Sequence, residues 1–452
     1  MPRKSDTSNR PRVQAEIGGI RKSWNSRISI VLAYPNRYHV GMSNLGFLTL
    51  YRLFNSYDHV VCERVFLPDD GRAGPARLTT MESGRPVAAA DIIAFSLSFE
   101  NDYPHVLAML ENAGLPLRAG NRNHRHPLVI AGGVACFLNP EPLSPFIDCF
   151  LIGEAEEMLD PFFRTFERQA DKKAVLRNLA RNVPGAYVPA FYQTRYKDDG
   201  TLADFKPVAD VPDKIKRVYS KDLDQSATCS SVVTADTTFG QTYLVETGRG
   251  CPHGCRFCSA GFIYRPPRFR SIPHLEQTII KGARITDRIG LVGSAVSDLP
   301  GIEALCSKFR HQEIRLSFSS LRADRLTDGL IAALNQSKVK TATIAPEVGS
   351  QRLRQVINKG ITETDVLNAA ATLVEGGIAN LKLYFMVGLP TETEADVDAI
   401  IALVKKIKHR FLTSSRARKR IGTITVSLNS FVPKPFTPFQ WAPMDDVGVL
   451  KK

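Results

Sequence analysis

The stretch GRGCPHGCRFCSAGFIYRPPRF, residues 248–269, sets three cysteines, Cys251, Cys255 and Cys258, at the spacing CxxxCxxC within eight consecutive positions. Three thiolates on one short loop can hold three corners of a cubane 4Fe-4S cluster, and with no fourth cysteine nearby one iron stays open to another ligand. Gly248, Gly250 and Gly254 allow the loop to wrap closely. Zinc is the competing reading, with His253 or a distant cysteine as fourth ligand. Structural zinc sites usually pair two such knuckles across a longer loop, and the chain has no second knuckle. Cys62, Cys136, Cys149, Cys229 and Cys306 lie far apart. A disulfide framework belongs to small secreted domains, so the cluster points to metal or redox chemistry in a reducing compartment.

Working outward, the cysteines sit just after TYLVET, the first of a series of strand-like segments that continues with IGLVG, RLSFSS, TATIAPEVG, NLKLYFMVG and GTITVSLNSF. Helical patterns fill the gaps, for example 299–309, 364–375 and 393–406. Six strand-helix units without a nucleotide fingerprint predict a partial (β/α)6 barrel over 237–452, with its active site at the carboxyl ends of the strands.

Upstream, ISIVLAY, DIIAFSLS, PLVIAGG and CFLIG alternate with helical patterns near 44–55 and 103–113. Continuous apolar runs separated by helices imply parallel strands covered on both faces, so residues 28–181 read as a doubly wound α/β sheet. Ligands of such sheets sit beyond the carboxyl ends of the strands. A basic arm, 1–27, precedes this domain. Residues 182–236, richer in Pro, Asp, Lys and Ser and carrying a turn signal at Asp198-Asp199-Gly200, read as a connector with some β structure.

CxxxCxxC with an aromatic at Phe257, placed after the first strand of a (β/α) series, resembles the radical S-adenosylmethionine (SAM) superfamily. The likeness extends through IGLVGSAVSD, LSFSSLRADRL, APEVGSQRLRQVINKGIT, LYFMVGLPTETEADV and SFVPKPFTPFQW, which are similar to motifs of the methylthiotransferase-like subgroup. The N-terminal half resembles a cobalamin-binding domain. The resemblance implies a 4Fe-4S cluster on the three cysteines and SAM on the open iron. It also implies reductive cleavage to a 5'-deoxyadenosyl radical, with cobalamin-dependent methyl transfer as one outcome on an unknown substrate. For SAM it implies Phe257, Gly293, Ser294, Ser320, Arg322, Glu347, Lys359 and Gly388. The bland readings are a core role for Phe257, an Arg322 pair with Asp324 or Asp328, and a helix cap for Glu347. For cobalamin it implies Ser96, Ser98, Gly132, Gly133 and Gly153. The DxHxxG pattern of cobalt-ligating domains is absent around His39, which leaves His39 a poor ligand and a docking surface the alternative use of this domain.

The 452-residue chain carries 59 Lys and Arg against 45 Asp and Glu, a formal charge of +14, which suits a polyanionic partner without requiring one. Lys405, Lys406, Lys408, Arg410, Arg416, Arg418, Lys419 and Arg420 are densely grouped; a solvated helix end is the default reading and phosphate binding the alternative. No apolar run approaches a bilayer span and the opening residues lack a signal-peptide core, so the expected location is the cytoplasm. Expected partners are the substrate, a reductant such as a flavodoxin or ferredoxin, and nucleic acid in the alternative of an RNA-modifying methylthiotransferase-like enzyme. A non-catalytic iron-sulfur scaffold is the third reading.

Overall fold

The structure, a computed structural model, describes residues 9–69, 78–168, 170–310, 312–319, 321–415 and 422–451. Ser320, Arg416, Arg418, Lys419 and Arg420, singled out in the sequence, lie outside the described residues. The chain divides into two compact units: residues 1–221 with 228–241, and residues 222–227 with 242–452.

The first unit is built on a sheet of β1 (Ile28–Arg37), β2 (Val60–Leu67), β3 (Ile92–Ser96), β4 (Leu128–Gly132), β5 (Cys149–Leu151) and β6 (Ala186–Tyr187), in the order β2-β1-β3-β4-β5-β6. The first five strands are mutually parallel, and β6 adds antiparallel at the edge. Alternate residues of β1 feed two cores: Ile30, Leu32 and Tyr34 enter one cluster and Val31 and Ala33 another. A parallel sheet covered on both faces must be apolar on both, which is why these strands read as unbroken runs.

β2 escapes that reading because Glu63 and Arg64 interrupt VVCERVFL, yet every residue from Val60 to Phe66 is buried. Partners from elsewhere make this tolerable. Arg64 Nη2 meets Glu16 Oε2 at 2.6 Å, Arg64 Nε meets Glu82 Oε1 at 2.7 Å, and Glu63 Oε2 accepts from Thr80 Oγ1 at 2.5 Å and Ser83 Oγ at 2.6 Å. Buried charges persist only when paired and hydrogen-bonded. Glu16 belongs to the N-terminal stretch, which includes a helix (Asn9–Ala15) and an antiparallel bridge from Ile17 to Val233. Past β6, a hairpin of β7 (Tyr192–Tyr196) and β8 (Leu202–Pro207) turns at Asp199-Gly200, and Gly200 takes φ +80°.

The second unit carries β9 (Tyr243–Glu246), a small antiparallel pair β10 (Gly248–Arg249) and β11 (Arg268–Phe269), then β12 (Arg288–Val292), β13 (Arg315–Phe318), β14 (Thr341–Glu347), β15 (Asn380–Val387) and β16 (Ile424–Ser430). β9, β12, β13, β14, β15 and β16 form a partial (β/α)6 barrel in sequential order. Among the described residues the ladder breaks between β13 and β14, leaving two parallel ribbons of three, β9-β12-β13 and β14-β15-β16. Helices Glu363–Glu375 and Glu394–Ser415 cover one face of the second ribbon, packing Val366, Leu373, Leu403 and Phe411 against Ile344, Leu383 and Phe385. The helix Glu394–Ser415 runs nine residues beyond the predicted end at 406.

Candidate functional site

The cysteine loop leaves the end of β9 and is closed by the β10–β11 pair, so both ends of the 248–269 segment are tied together. Gly250 takes φ +84°, and a Cβ there would stand 2.7 Å from the Tyr264 carbonyl oxygen; only glycine fits this crossing. Cys255 is buried, Cys251 and Cys258 are half-buried, and none is in a disulfide. The Cys258 amide donates to the Cys255 carbonyl at 3.1 Å, a tight turn that keeps the thiols on one loop. Burial pushes the Cys251 and Cys255 thiols up, and each also senses Cys258. Among the described residues no three His, Cys, Asp or Glu side chains are drawn into a preformed chelate. The donor set still fits an iron-sulfur cluster: three soft, unbridged donors share one loop, with Lys359 and Arg322 near enough to favour the thiolate of Cys255. His253, the candidate fourth zinc ligand, has its Nε2 3.0 Å from Asp298 Oδ2.

Those cations are fixed by their own partners. Lys359 Nζ lies 2.8 Å from Glu347 Oε1, and Glu347, last residue of β14, takes φ +68°, a conformation that costs a non-glycine residue of order 1–3 kcal/mol. Arg322 holds Asp324 through Nε–Oδ1 at 2.9 Å and Nη2–Oδ2 at 3.0 Å, and its Nη2 also reaches the Lys359 carbonyl at 3.5 Å. The helix after β14 is capped by Ser350, whose hydroxyl accepts from the Leu353 amide at 3.0 Å, so Glu347 is not that cap.

The turn bearing Lys359 also holds the cysteine loop. Asn358 Nδ2 donates to the Gly254 carbonyl at 2.9 Å, the Arg256 amide to the Ile357 carbonyl at 2.9 Å, and Arg256 Nη1 to the Val356 carbonyl at 2.7 Å. Asn358 and Asp298 were not singled out in the sequence; no local pattern marks contacts that span 104 positions for Asn358 and 45 for Asp298. Phe257 packs against the cluster of Val348, Leu353, Ile357, Leu389 and Phe431 that follows the strand ends. Gly293 is bracketed by Ser319, whose hydroxyl donates to its carbonyl at 3.0 Å, and Ser294 is exposed. The Gly388 amide, just past β15, donates to Glu392 Oε2 at 2.5 Å.

In the first unit, Ser96 and Gly132 are register partners at the ends of β3 and β4, and Gly133 lies against the Leu97 backbone. Ser98 Oγ accepts from Asn44 Nδ2 at 2.9 Å, while Asn44 caps the helix Leu45–Ser56 through the Phe47 amide. These four positions come together. Gly153 stands apart: at φ +148°, a Cβ there would meet the Val218 carbonyl oxygen at 2.5 Å, and the chain bridges over it through Glu154 N–Val218 O and Val218 N–Ile152 O. His39 is half-buried on the helical turn Tyr38–Gly41.

Residues 245–404 match the family model of the radical SAM superfamily, and residues 46–189 match that of radical SAM proteins, N-terminal. The uncharacterized protein MJ0966 of Methanocaldococcus jannaschii is 32% identical over 415 residues, 91% of this chain and 79% of that one. The chain belongs to the radical SAM superfamily. It is thus an enzyme of the class that uses a 4Fe-4S cluster and SAM. The tRNA-2-methylthio-N(6)-dimethylallyladenosine synthase of Acetivibrio thermocellus is 25% identical over 210 residues, 41% of each chain. Among solved structures, the cobalamin-dependent S-adenosylmethionine radical enzyme OxsB with aqua-cobalamin bound superposes with a TM-score of 0.53 at 14% identity. The match covers 87% of this radical SAM chain and 56% of OxsB, so the likeness is one of fold and the chain spans little more than half of that enzyme. Among the described residues no helix is long and apolar enough to cross a membrane.

Proposed function

We propose that this chain is a cobalamin-dependent radical SAM enzyme in which Cys251, Cys255 and Cys258 hold three irons of the cluster and leave the fourth to SAM. The observation that carries the assignment is the single loop of three unbridged cysteines with Lys359 and Arg322 acting on Cys255. When bound, the cluster supplies the electron that cleaves SAM to methionine and a 5'-deoxyadenosyl radical. The residues around it bind and orient. Lys359 and Arg322 would offset thiolate charge and receive the carboxylate of bound SAM, with Glu347 keeping Lys359 in place. Phe257 would pack beside the adenine of bound SAM, and the backbone at Gly293, Ser294 and Gly388 would line the rest of the site. Asn358 keeps the cysteine loop against the turn that carries Lys359.

Support for cobalamin comes from the order β2-β1-β3-β4-β5, whose switch point between β1 and β3 is the usual ligand position of such sheets, and from the shared fold with OxsB. Ser96, Ser98, Gly132 and Gly133 line that edge; Gly153 is the weakest of the five because the chain itself covers it. A second reading, an RNA substrate, draws on the +14 charge and on the similarity to the tRNA-modifying synthase. Sulfur insertion fits poorly, since Cys62, Cys136, Cys149 and Cys306 are each buried, with no second triad among the described residues. The working setting is the cytoplasm, with a flavodoxin or ferredoxin as electron donor.

The test is anaerobic cluster reconstitution followed by incubation with reductant, SAM and cobalamin. Release of 5'-deoxyadenosine supports the radical assignment, and S-adenosylhomocysteine in addition supports methyl transfer. An iron-loaded protein that cleaves no SAM would reduce the chain to a scaffold.

A further inference from the structure

At the carboxyl ends of β1 and β3, where the strand order reverses, Asn36, Asp102 and His105 converge. Pairing of β1 with β2 is irregular between Tyr34 and Arg37, so Pro35 and Asn36 fall outside the regular ladder. Asp102 is 2% exposed; its Oδ1 accepts from Asn36 Nδ2 at 2.9 Å, and its Oδ2 has no partner among the described residues. Burial raises the Asp102 carboxyl above the usual carboxylate range. His105 Nδ1 stands 2.9 Å from the Pro35 carbonyl oxygen and 3.7 Å from Asp102 Oδ1. A carbonyl only accepts, so Nδ1 is the donor to Pro35 and Nε2 is the nitrogen left for a metal. The His105 side chain is 45% exposed, and among the described residues nothing bonds to Nε2. An imidazole held through one nitrogen by a backbone carbonyl, with a carboxylate behind it and the other nitrogen open, is the arrangement by which proteins present a histidine to a metal.

We propose that His105 Nε2 is the axial ligand to the cobalt of a corrin bound over the β1/β3 crevice, with Asn36 and Asp102 as positioning residues. The inference rests on the cobalamin reading above and adds the ligand that the absent DxHxxG pattern at His39 leaves unassigned.

The test uses the full chain loaded anaerobically with cobinamide, which lacks the nucleotide base, so any nitrogen on the metal must come from the protein. After reduction to the Co(II) state, the electron paramagnetic resonance lines should split into three from one nitrogen, and into two when the protein carries 15N-histidine. His105→Phe should keep corrinoid bound while losing the splitting, His39→Phe should keep both, and Asp102→Asn should loosen binding by about tenfold. Bound cobinamide without nitrogen splitting overturns the assignment in the wild-type protein, independently of any variant's folding, and so does splitting that survives His105→Phe. Unchanged affinity in Asp102→Asn removes the positioning role. Failure of the wild-type chain to take up either cobalamin or cobinamide overturns the cobalamin reading itself, and the ligand assignment with it.

Discussion

β1, β2 and β3 are buried on nearly every residue, whereas β14 and β15 alternate buried with half-exposed positions and β16 is mostly exposed. Both sets are parallel and both are followed by helices, so strand direction does not account for the difference. In the first unit helices cover both faces and two cores form. In the second, helices cover one face, and the other face carries Thr343, Ala345 and Glu347 of β14 and Lys382, Tyr384 and Met386 of β15, all half-exposed. Closed (β/α) barrels fill that inner face with layers of side chains. This open one leaves it accessible along β14 and β15, and Glu347 at the end of β14 holds the Lys359 that lies near Cys255. The first sheet is packed on both faces, with only its strand ends left open; the second is packed on one.

The largest effect that comparison predicts is on chemistry confined to the second unit. Cys255→Ala should remove cluster iron and reduce 5'-deoxyadenosine formation to background, while the far-ultraviolet circular dichroism and the first unit's thermal transition stay unchanged. Iron content and SAM cleavage at the wild-type level in this variant would sink the assignment of the triad.

Next comes stability. Ile92 is fully buried in β3 and pairs on both sides, with Ile30 and Leu128. Ile92→Ala should cost about 2–5 kcal/mol, the usual range for emptying such a site. Chemical denaturation measures it, and a change within about 0.5 kcal/mol, as for a surface position, would mean the sheet is not doubly covered.

Much of this division was legible in the residues, for physical reasons that differ by element. The cysteine triad is readable because its donors are neighbours in the chain. Continuous apolar runs betray β1, β3, β4 and β5 because burial on both faces leaves no room for polar alternation. β2 was hidden by Glu63 and Arg64, whose partners Glu16 and Glu82 lie 48 and 18 positions from Arg64. Such compensation is invisible until the chain is folded. The same holds for the Asn358 contact with Gly254, 104 positions away, and for the crevice at His105, assembled from two strand ends. The break between β13 and β14 leaves no mark on either strand's own pattern.

A smaller effect, with a pH signature, comes from Asp396 near the start of the helix Glu394–Ser415. Its carboxylate accepts from Ser350 Oγ at 2.5 Å, from Thr393 N at 2.9 Å and Thr393 Oγ1 at 2.7 Å, and pairs with Arg352. Although burial opposes ionisation, these donors together hold the carboxyl well below the ordinary aspartate range. A group whose folded pKa is depressed stabilises the native state above its unfolded value, near 3.9, and loses that contribution as pH falls toward the folded value. Asp396→Asn should therefore lower stability at neutral pH by about 1–3 kcal/mol, as for hydrogen bonds to a charged group. The gap to wild type should begin to narrow near about pH 4, where the unfolded carboxyl takes up its proton, and close only as pH approaches the depressed folded value. A gap independent of pH would mean the shift is absent.

The smallest effect sharpens the comparison most. Leu428 lies in β16 with 56% of its surface exposed, yet it pairs in register with Phe385, which is buried. Were β16 packed like β3, Leu428→Ala would cost as much as Ile92→Ala. Because β16 is the outer strand of its ribbon among the described residues and Leu428 lies largely open, little apolar area is lost on truncation, and the expected change is within about 0.5 kcal/mol. The two alanine variants, measured by the same denaturant titration, thus read the two packing regimes directly. A cost for Leu428→Ala approaching that of Ile92→Ala would mean that something covers this strand in solution, and the second unit would then be closed where its neighbours in the ladder leave it open.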